Sequence, residues 1–188
     1  MERIDSMQKI LAAFFVSLAV AGQVLAQDRA VTELKVGDPA PDFALPYATK
    51  DSVAENSLRL SELIGKKNIV LAFYPADWSS GCTKELCTMR DNFAQLSSLD
   101  AEILPISGDY EFAHHEWAKQ QNFQFKLVSD HLHKVAQRYM SYNDGYGWNK
   151  RTVYVIDRHG KIAYIDLEYN VRTMDSFNEL QEALKKLE

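Results

Sequence analysis

Apolar and polar positions along this chain fall into runs of two different periods. Ile69 to Phe73 is short, wholly apolar and partly β-branched, and with its flanks Asn68 and Tyr74 it predicts a buried central strand. Pro75 has no N–H to give to a ladder and ends that strand. Ser79, Ser80 and Gly81 then offer N-cap chemistry, and from Thr83 to about Leu96 apolar positions recur at helical spacing. Ala101 to Ser107 alternates like a strand, with Pro105 predicting a bulge or an early end. Tyr110 to Gln120 reads as a helix, Phe123 to Val128 as a strand, Leu132 to Met140 as a helix and Ser141 to Asn149 as a loop. Thr152 to Ile156 and Lys161 to Leu167, joined by Asp157-Arg158-His159-Gly160, read as a hairpin. Ser176 and Glu179 fit a capping box opening a final helix, about Asp175 to Leu187.

Upstream, Val36 to Phe43 holds two prolines and a glycine and reads as a loop entering an edge strand. Ser61 to Gly65 fits a single helical turn closed by its glycine. Strands alternating with helices, then a hairpin and a helix, predict an α/β domain with a central mixed sheet flanked by helices. The domain is expected over 35–188, preceded by a flexible polar lead-in, 27–34.

The first residues read as a targeting signal. Arg3 and Lys9 give a basic start, Ile10 to Ala21 an apolar core of 12 residues, and Val24-Leu25-Ala26 small residues before a cleavage point. Met7 is an alternative start with a tidier layout. The apolar run is shorter than the roughly 20 residues a spanning helix needs. A cleavable signal peptide over 1–26 is expected, with the mature chain 27–188 exported in soluble form to a bacterial periplasm and not stably associated with a membrane. The whole chain, 188 residues with a net charge of −5, has no basic footprint for nucleic acid and no glycine-rich phosphate loop.

Chemistry concentrates at the start of the first long helix. Cys82 falls in its first turn, where unpaired N–H groups and the positive end of the helix dipole favour an anion. The thiolate is the nucleophilic form of cysteine, so Cys82 is the lead candidate nucleophile. Trp78, Trp117 and Trp148 read as core or rim packing, with Trp78 a candidate to line the site.

The two cysteines, Cys82 and Cys87, admit several readings. A structural disulfide is the first for an exported chain. On an intact helix, however, residues five apart have Cα atoms roughly 8.6 Å from each other, whereas a disulfide needs less than about 7 Å. The pair can join only if the first helical turns open, and so short a loop gains only about 2 kcal/mol from closure. A switchable pair fits better than a static bridge. Shared metal binding would need similar unwinding, and His131 and His133 at alternate positions point apart on a helix; a copper-binding module remains an alternative.

The spacing Pro75-x-x-x-Ser79-x-x-Cys82 resembles the peroxidatic-site motif of the peroxiredoxins, with Ser79 where threonine is usual. Cys82-Thr83-x-Glu85 followed by Cys87 is similar to the bacterioferritin comigratory protein, or Q-type, branch. Val36-Gly37-Asp38-x-Ala40-Pro41-Asp42-Phe43 resembles the opening of that domain, and Arg151 falls where the family keeps an active-site arginine. The likeness covers roughly residues 35 to 186. Ser80, where the branch usually has proline, and Pro105 depart from it; Ser80 would loosen the active-site turn.

The resemblance implies a thioredoxin-like fold and a thiol peroxidase acting on hydrogen peroxide and organic hydroperoxides. Cys82 would attack the peroxide and become a sulfenic acid, and Cys87 would resolve it as an intramolecular disulfide. A thioredoxin-like dithiol would reduce that bridge. Arg151, the Ser79 hydroxyl and the Cys82 N–H would polarise the O–O bond, Glu85 would hold the guanidinium, and Pro75 would shield the thiolate. A monomer or weak dimer is expected, with no cofactor and no bound metal. A thiol–disulfide oxidoreductase on the same fold is the other enzyme class to weigh, although the Cys-x-x-Cys pair it usually needs is missing.

Overall fold

The apolar run forms strand β4 (Asn68–Phe73), in which every residue is buried. The computed structural model describes residues 33–187, so the expected leader and residues 27–32 of the lead-in lie outside the described residues. Around β4 stand β2 (Tyr47–Ala48), β5 (Ala101–Ser107), β6 (Leu127–Ser129), β9 (Thr152–Ile156) and β10 (Ile162–Asp166). They make a six-stranded sheet of order β10-β9-β4-β5-β6-β2. β4, β5 and β6 are parallel, while β9, β10 and β2 each run antiparallel to their neighbour. The sheet is therefore mixed, as the element order predicts.

Helices cover both faces. Helices α1 (Ser80–Asp91), α3 (Glu111–Gln121) and α5 (Asp175–Lys185) pack on the side of Val70, Ala72, Val153 and Val155. Helix α4 (Lys134–Arg138), with β1 (Ala44–Leu45) and β3 (Leu58–Arg59), covers Ile69, Leu71, Phe73, Tyr154 and Ile156. Alternate side chains of β4 point to opposite faces, so a strand covered on both sides reads as a continuous apolar run.

The register of β9 against β4 matters most for the site. Thr152, its first residue, pairs with Phe73, the last residue of β4. The start of β9 and the exit of β4 therefore meet at one end of the sheet.

Several boundaries differ from the sequence reading, each for a physical reason. The long helix starts earlier, at Ser80, and breaks at Asn92 before a short helix α2 (Phe93–Ser98). The Asn92 amide folds back onto Thr88 O at 2.8 Å. Pro105 neither bulges nor ends β5, which runs intact to Ser107. Ile106 O accepts from Tyr74 N on the β4 side and Ser107 O from Asp130 N on the opposite side. By alternation the Pro105 nitrogen faces away from β4, and pairing with β6 begins only at Ile106. No ladder bond is lost there.

The expected strand 123–128 shrinks to Leu127–Ser129, because Phe123 and Phe125 stack at 5.0 Å in the core instead of pairing. The helix expected over 132–140 shrinks to α4, whose first N–H groups are taken by Asp130 Oδ2 at 2.8 and 2.9 Å. The loop 141–149 contains a small hairpin, β7 (Tyr142–Asn143) with β8 (Trp148–Asn149). The capping box at Ser176 is not formed: Met174 is the N-cap without a side-chain bond. Ser176 Oγ accepts from Asn170 N at 3.0 Å, and Glu179 accepts from Tyr164.

A buried polar group pins the loop between β4 and α1. Asp77 accepts from Tyr74 Oη at 2.7 Å and meets His114 Nδ1 at 2.9 Å, with both acid and imidazole side chains fully buried. His114 Nε2 donates to Val128 O at 3.3 Å. Removing one member of such a pair leaves a buried charge and costs about 3–5 kcal/mol. His114→Leu is expected to lose that much in urea unfolding, and adding Asp77→Asn to recover at least about 1 kcal/mol by removing the stranded charge.

Candidate active site

Ser79 ends the loop as the N-cap of α1. Its backbone is extended, its carbonyl accepts from Thr83 N at 2.8 Å and its hydroxyl accepts from Cys82 N at 3.4 Å. Cys82 is thereby fixed as the third helical residue, with its side chain fully buried under the helix tip. Trp78, just before the cap, takes the left-handed conformation at φ 55° and is held by a bond from its indole to Gln120 at 2.8 Å.

Arg151 reaches this point from the segment entering β9. Its Nη2 donates to Cys82 Sγ at 3.4 Å, and its Nη1 donates to Glu85 Oε2. Glu85 lies one helical turn after Cys82, so the thiol and the carboxyl share a face of α1. The guanidinium bridges them. Gly81 admits it: a Cβ there would stand 3.1 Å from Arg151 Nη2. Ser79, Cys82, Glu85 and Arg151 are thus brought together, while Pro75 is half-buried at the exit of β4.

Burial pushes the Glu85 carboxyl up to about 7, outweighing the Arg151 guanidinium beside it, and the charge of Asp166 adds to the rise. Burial works to lower Arg151, but Glu85 and Cys82 outweigh it and keep the guanidinium charged. Glu85 Oε1 is buried without a hydrogen-bond partner among the described residues. On the outer side of Arg151 an open groove of about 810 Å³ is lined by Ser80, Gly81, Lys84, Tyr169 and Arg172 among others.

Cys87 sits on the same helix but faces α3, where its thiol donates to Gln121 Oε1 at 3.6 Å. Burial pushes that thiol up, with Arg90 opposing. Both cysteines are free thiols. Among the described residues no group of three or more His, Cys, Asp or Glu side chains is arranged to hold a metal.

The sequence reading missed Asp77, His114 and Tyr169, and took Gly81 only as part of the helix cap. Gly81 carried a signal, being a glycine inside a helix start; the other three are brought in by tertiary packing. Trp117 is buried, whereas Trp78 and Trp148 are 49% and 47% exposed, in line with core and rim packing.

Known proteins share this arrangement of fold and motif. The profile of the AhpC/TSA family matches residues 36–165. A Coxiella burnetii protein named peroxiredoxin bcp is 36% identical over 138 residues, covering 70% of this chain and 87% of that one. Peroxiredoxin Q of Triticum aestivum is 37% identical over 130 residues, covering 69% of this chain but only 57% of the wheat protein's length. Among solved structures, BcpB from Mycobacterium tuberculosis superposes with a TM-score of 0.72 at 28% identity, over 83% of this chain and 99% of that one. A reduced 2-Cys peroxiredoxin from Plasmodium vivax gives 0.72 at 25% identity over 80% of each chain. The chain belongs to the AhpC/TSA family, in the bacterioferritin comigratory protein, or Q-type, branch of the peroxiredoxins, and its mixed sheet is a thioredoxin-like fold.

The Glu85 shift fixes a pH dependence of stability. Its folded value lies above the ordinary 4.5, so the folded chain binds more protons than the unfolded one between 4.5 and about 7. The stabilisation is complete below 4.5 and is lost as pH rises through about 7. Glu85→Gln does not titrate, so its stability relative to the natural chain is expected to rise across that window by up to about 3 kcal/mol. Urea unfolding at either end of the window measures it.

Proposed function

We propose that this protein is a thiol peroxidase in which Cys82 is the peroxidatic and Cys87 the resolving residue. Cys82 attacks the nearer oxygen of hydrogen peroxide or an organic hydroperoxide, the O–O bond breaks, and the sulfur becomes a sulfenic acid. The observation that carries this reading is the 3.4 Å contact of Arg151 Nη2 with Cys82 Sγ at a helix N-terminus. A guanidinium there meets both the attacking sulfur and the oxygen that departs with negative charge. One preorganised donor of that kind is worth about 10²–10³ in rate. The Cys82 N–H and Ser79 hydroxyl stand beside it, and Pro75 shields the sulfur from water.

Cys87 then condenses with the sulfenic acid, releasing water and leaving a disulfide. On intact α1 the two Cα atoms are roughly 8.6 Å apart by helix geometry, so the first turns must open. Closure of so short a loop contributes only about 2 kcal/mol, against the helical hydrogen bonds and packing that opening the turns gives up. A thioredoxin-like dithiol returns the pair to thiols by exchange. The leader read over residues 1–26 supports export of the mature chain to the periplasm, where it acts as a monomer or weak dimer.

Reduced mature protein is expected to consume hydrogen peroxide in proportion to added dithiol. Cys82→Ser is expected to abolish this, and Cys87→Ser to keep one oxidation per chain while losing sustained turnover with thioredoxin. Mass spectrometry after peroxide reports the Cys82–Cys87 bridge and the cleavage site together. Unchanged turnover in Cys82→Ser contradicts the reading, and reduction of protein disulfides without peroxide selects an oxidoreductase instead.

A further inference from the structure

Arg151 stands between two acidic groups, and the interior around it holds one cation too few. Its Nη2 meets Cys82 Sγ at 3.4 Å while its Nη1 meets Glu85 Oε2. With a thiolate and a carboxylate both present, these three side chains carry one uncompensated negative charge. Cys82 is 0% and Glu85 1% exposed, and a buried unpaired charge is strongly disfavoured. The remaining Glu85 oxygen, Oε1, has no hydrogen-bond partner among the described residues. Protonating that carboxyl is the one change that restores neutrality without losing the thiolate.

The other groups facing Glu85 do not relieve the imbalance. From β10, the charge of Asp166 opposes ionisation of Glu85. From the segment after β10, the buried Tyr169 is held protonated, first by burial and then by Glu85 and Asp166. Lys84, on α1, and Arg172 share with Glu85 the wall of a small cavity of about 200 Å³. Lys84 points its ammonium to Arg172 O at 3.3 Å and both side chains lie in exposed residues. Among the described residues Arg151 alone compensates the two anions by direct contact.

We propose that Glu85 is the proton store of the catalytic cycle: a carboxylic acid while Cys82 is a thiolate, and a carboxylate once the sulfur has lost its charge. This rests on the peroxidase reading above. The thiolate attacks the hydroperoxide, an S–O bond forms and the O–O bond breaks. The sulfur is oxidised by two electrons, the peroxide is reduced, and an alkoxide or hydroxide leaves. That anion needs one proton, and Glu85 loses its reason to hold one at the same moment. When the dithiol later regenerates the Cys82 thiol, ionisation of the thiol returns a proton to Glu85. The site keeps the same net charge throughout. The small cavity beside Glu85 and the groove on the outer side of Arg151 share Lys84, Tyr169, Asn170, Val171 and Arg172, so the two lie next to each other along the carboxyl–guanidinium pair. A carboxyl carried by burial to about 7 can both hold and release a proton near neutrality.

The test counts protons. In the Cys87→Ser background, where oxidation stops at the sulfenic acid, hydrogen peroxide is mixed with reduced protein in weak buffer containing a pH indicator, just above pH 7. Proton uptake per oxidised sulfur is expected to be clearly below one with Glu85 and near one with Glu85→Gln. Infrared difference spectra are expected to show a carboxylic-acid C=O band in the reduced chain that weakens on oxidation. Equal uptake in both chains, or no such band, overturns the proposal. A comparison without peroxide separates it from the peroxidase reading: the band is stronger in the reduced chain than in Cys82→Ser, which never carries a thiolate, and equal bands overturn the proposal. If Glu85→Gln fails to fold, that comparison decides alone.

Discussion

One planar guanidinium holds this site together. Arg151 presents two nitrogens in a fixed fork, and the chain places a sulfur on one and a buried carboxyl on the other. A lysine is a point charge on a flexible stem and does not span both partners with that geometry. Glu85 fixes the fork in place, Gly81 leaves it room, and the tip of α1 supplies oriented N–H groups beside the same sulfur. The fold exists at this place to make that meeting possible. Arg151 and Cys82 are 69 residues apart in the chain. They come together because β9 runs antiparallel to β4, which sets its first residue beside the last residue of β4.

In the proposed cycle the loop before α1 stays firm while the first turns of the helix open. The loop is anchored by Asp77 to Tyr74 and His114 and by Trp78 to Gln120. Helix α3 supplies both His114 and Gln120, and through Gln121 it also touches Cys87 and Arg90. It therefore braces the loop through the buried His114–Asp77 contact and the exposed Gln120–Trp78 bond, and holds Cys87 through a single weak one. In the proposed cycle, opening α1 towards Cys87 loosens the packing of the buried Leu86 and Met89 and the hold of Glu85 on Arg151, while the loop anchored through Asp77 stays in place.

Much of this was legible in the sequence, and the gaps have physical causes. The central strand was readable because burial on both faces demands a continuous apolar run, and the helix tip because Ser79 is a cap residue at the right distance. The α/β class followed from the order of the elements, and the grouping of Ser79, Cys82, Glu85 and Arg151 from the resemblance to the peroxiredoxins. Pro105 misled because the direction in which a strand's N–H points depends on its neighbours, not on its own residues. Phe123 and Phe125 read as strand because aromatic residues favour strands, but packing against Trp117 took them instead. Ser176 looked like a cap and was claimed by Asn170 N. The Asp77–His114 pair had no sequence signal, since residues 37 apart become partners only through the sheet.

The sharpest test separates the two things Arg151 can do, favouring a thiolate and stabilising the departing oxygen. Full ionisation of an ordinary cysteine at neutral pH yields only about a thirtyfold gain over the free thiol. A donor aimed at the leaving oxygen is worth about 10²–10³. Rapid mixing of reduced protein with hydrogen peroxide and, separately, with an alkylating reagent measures the rate at Cys82 with and without Arg151→Gln. Loss of the guanidinium is expected to slow peroxide by at least about 10² while slowing alkylation by no more than about thirtyfold. Equal slowing of both reactions would contradict a role for Arg151 in breaking the O–O bond.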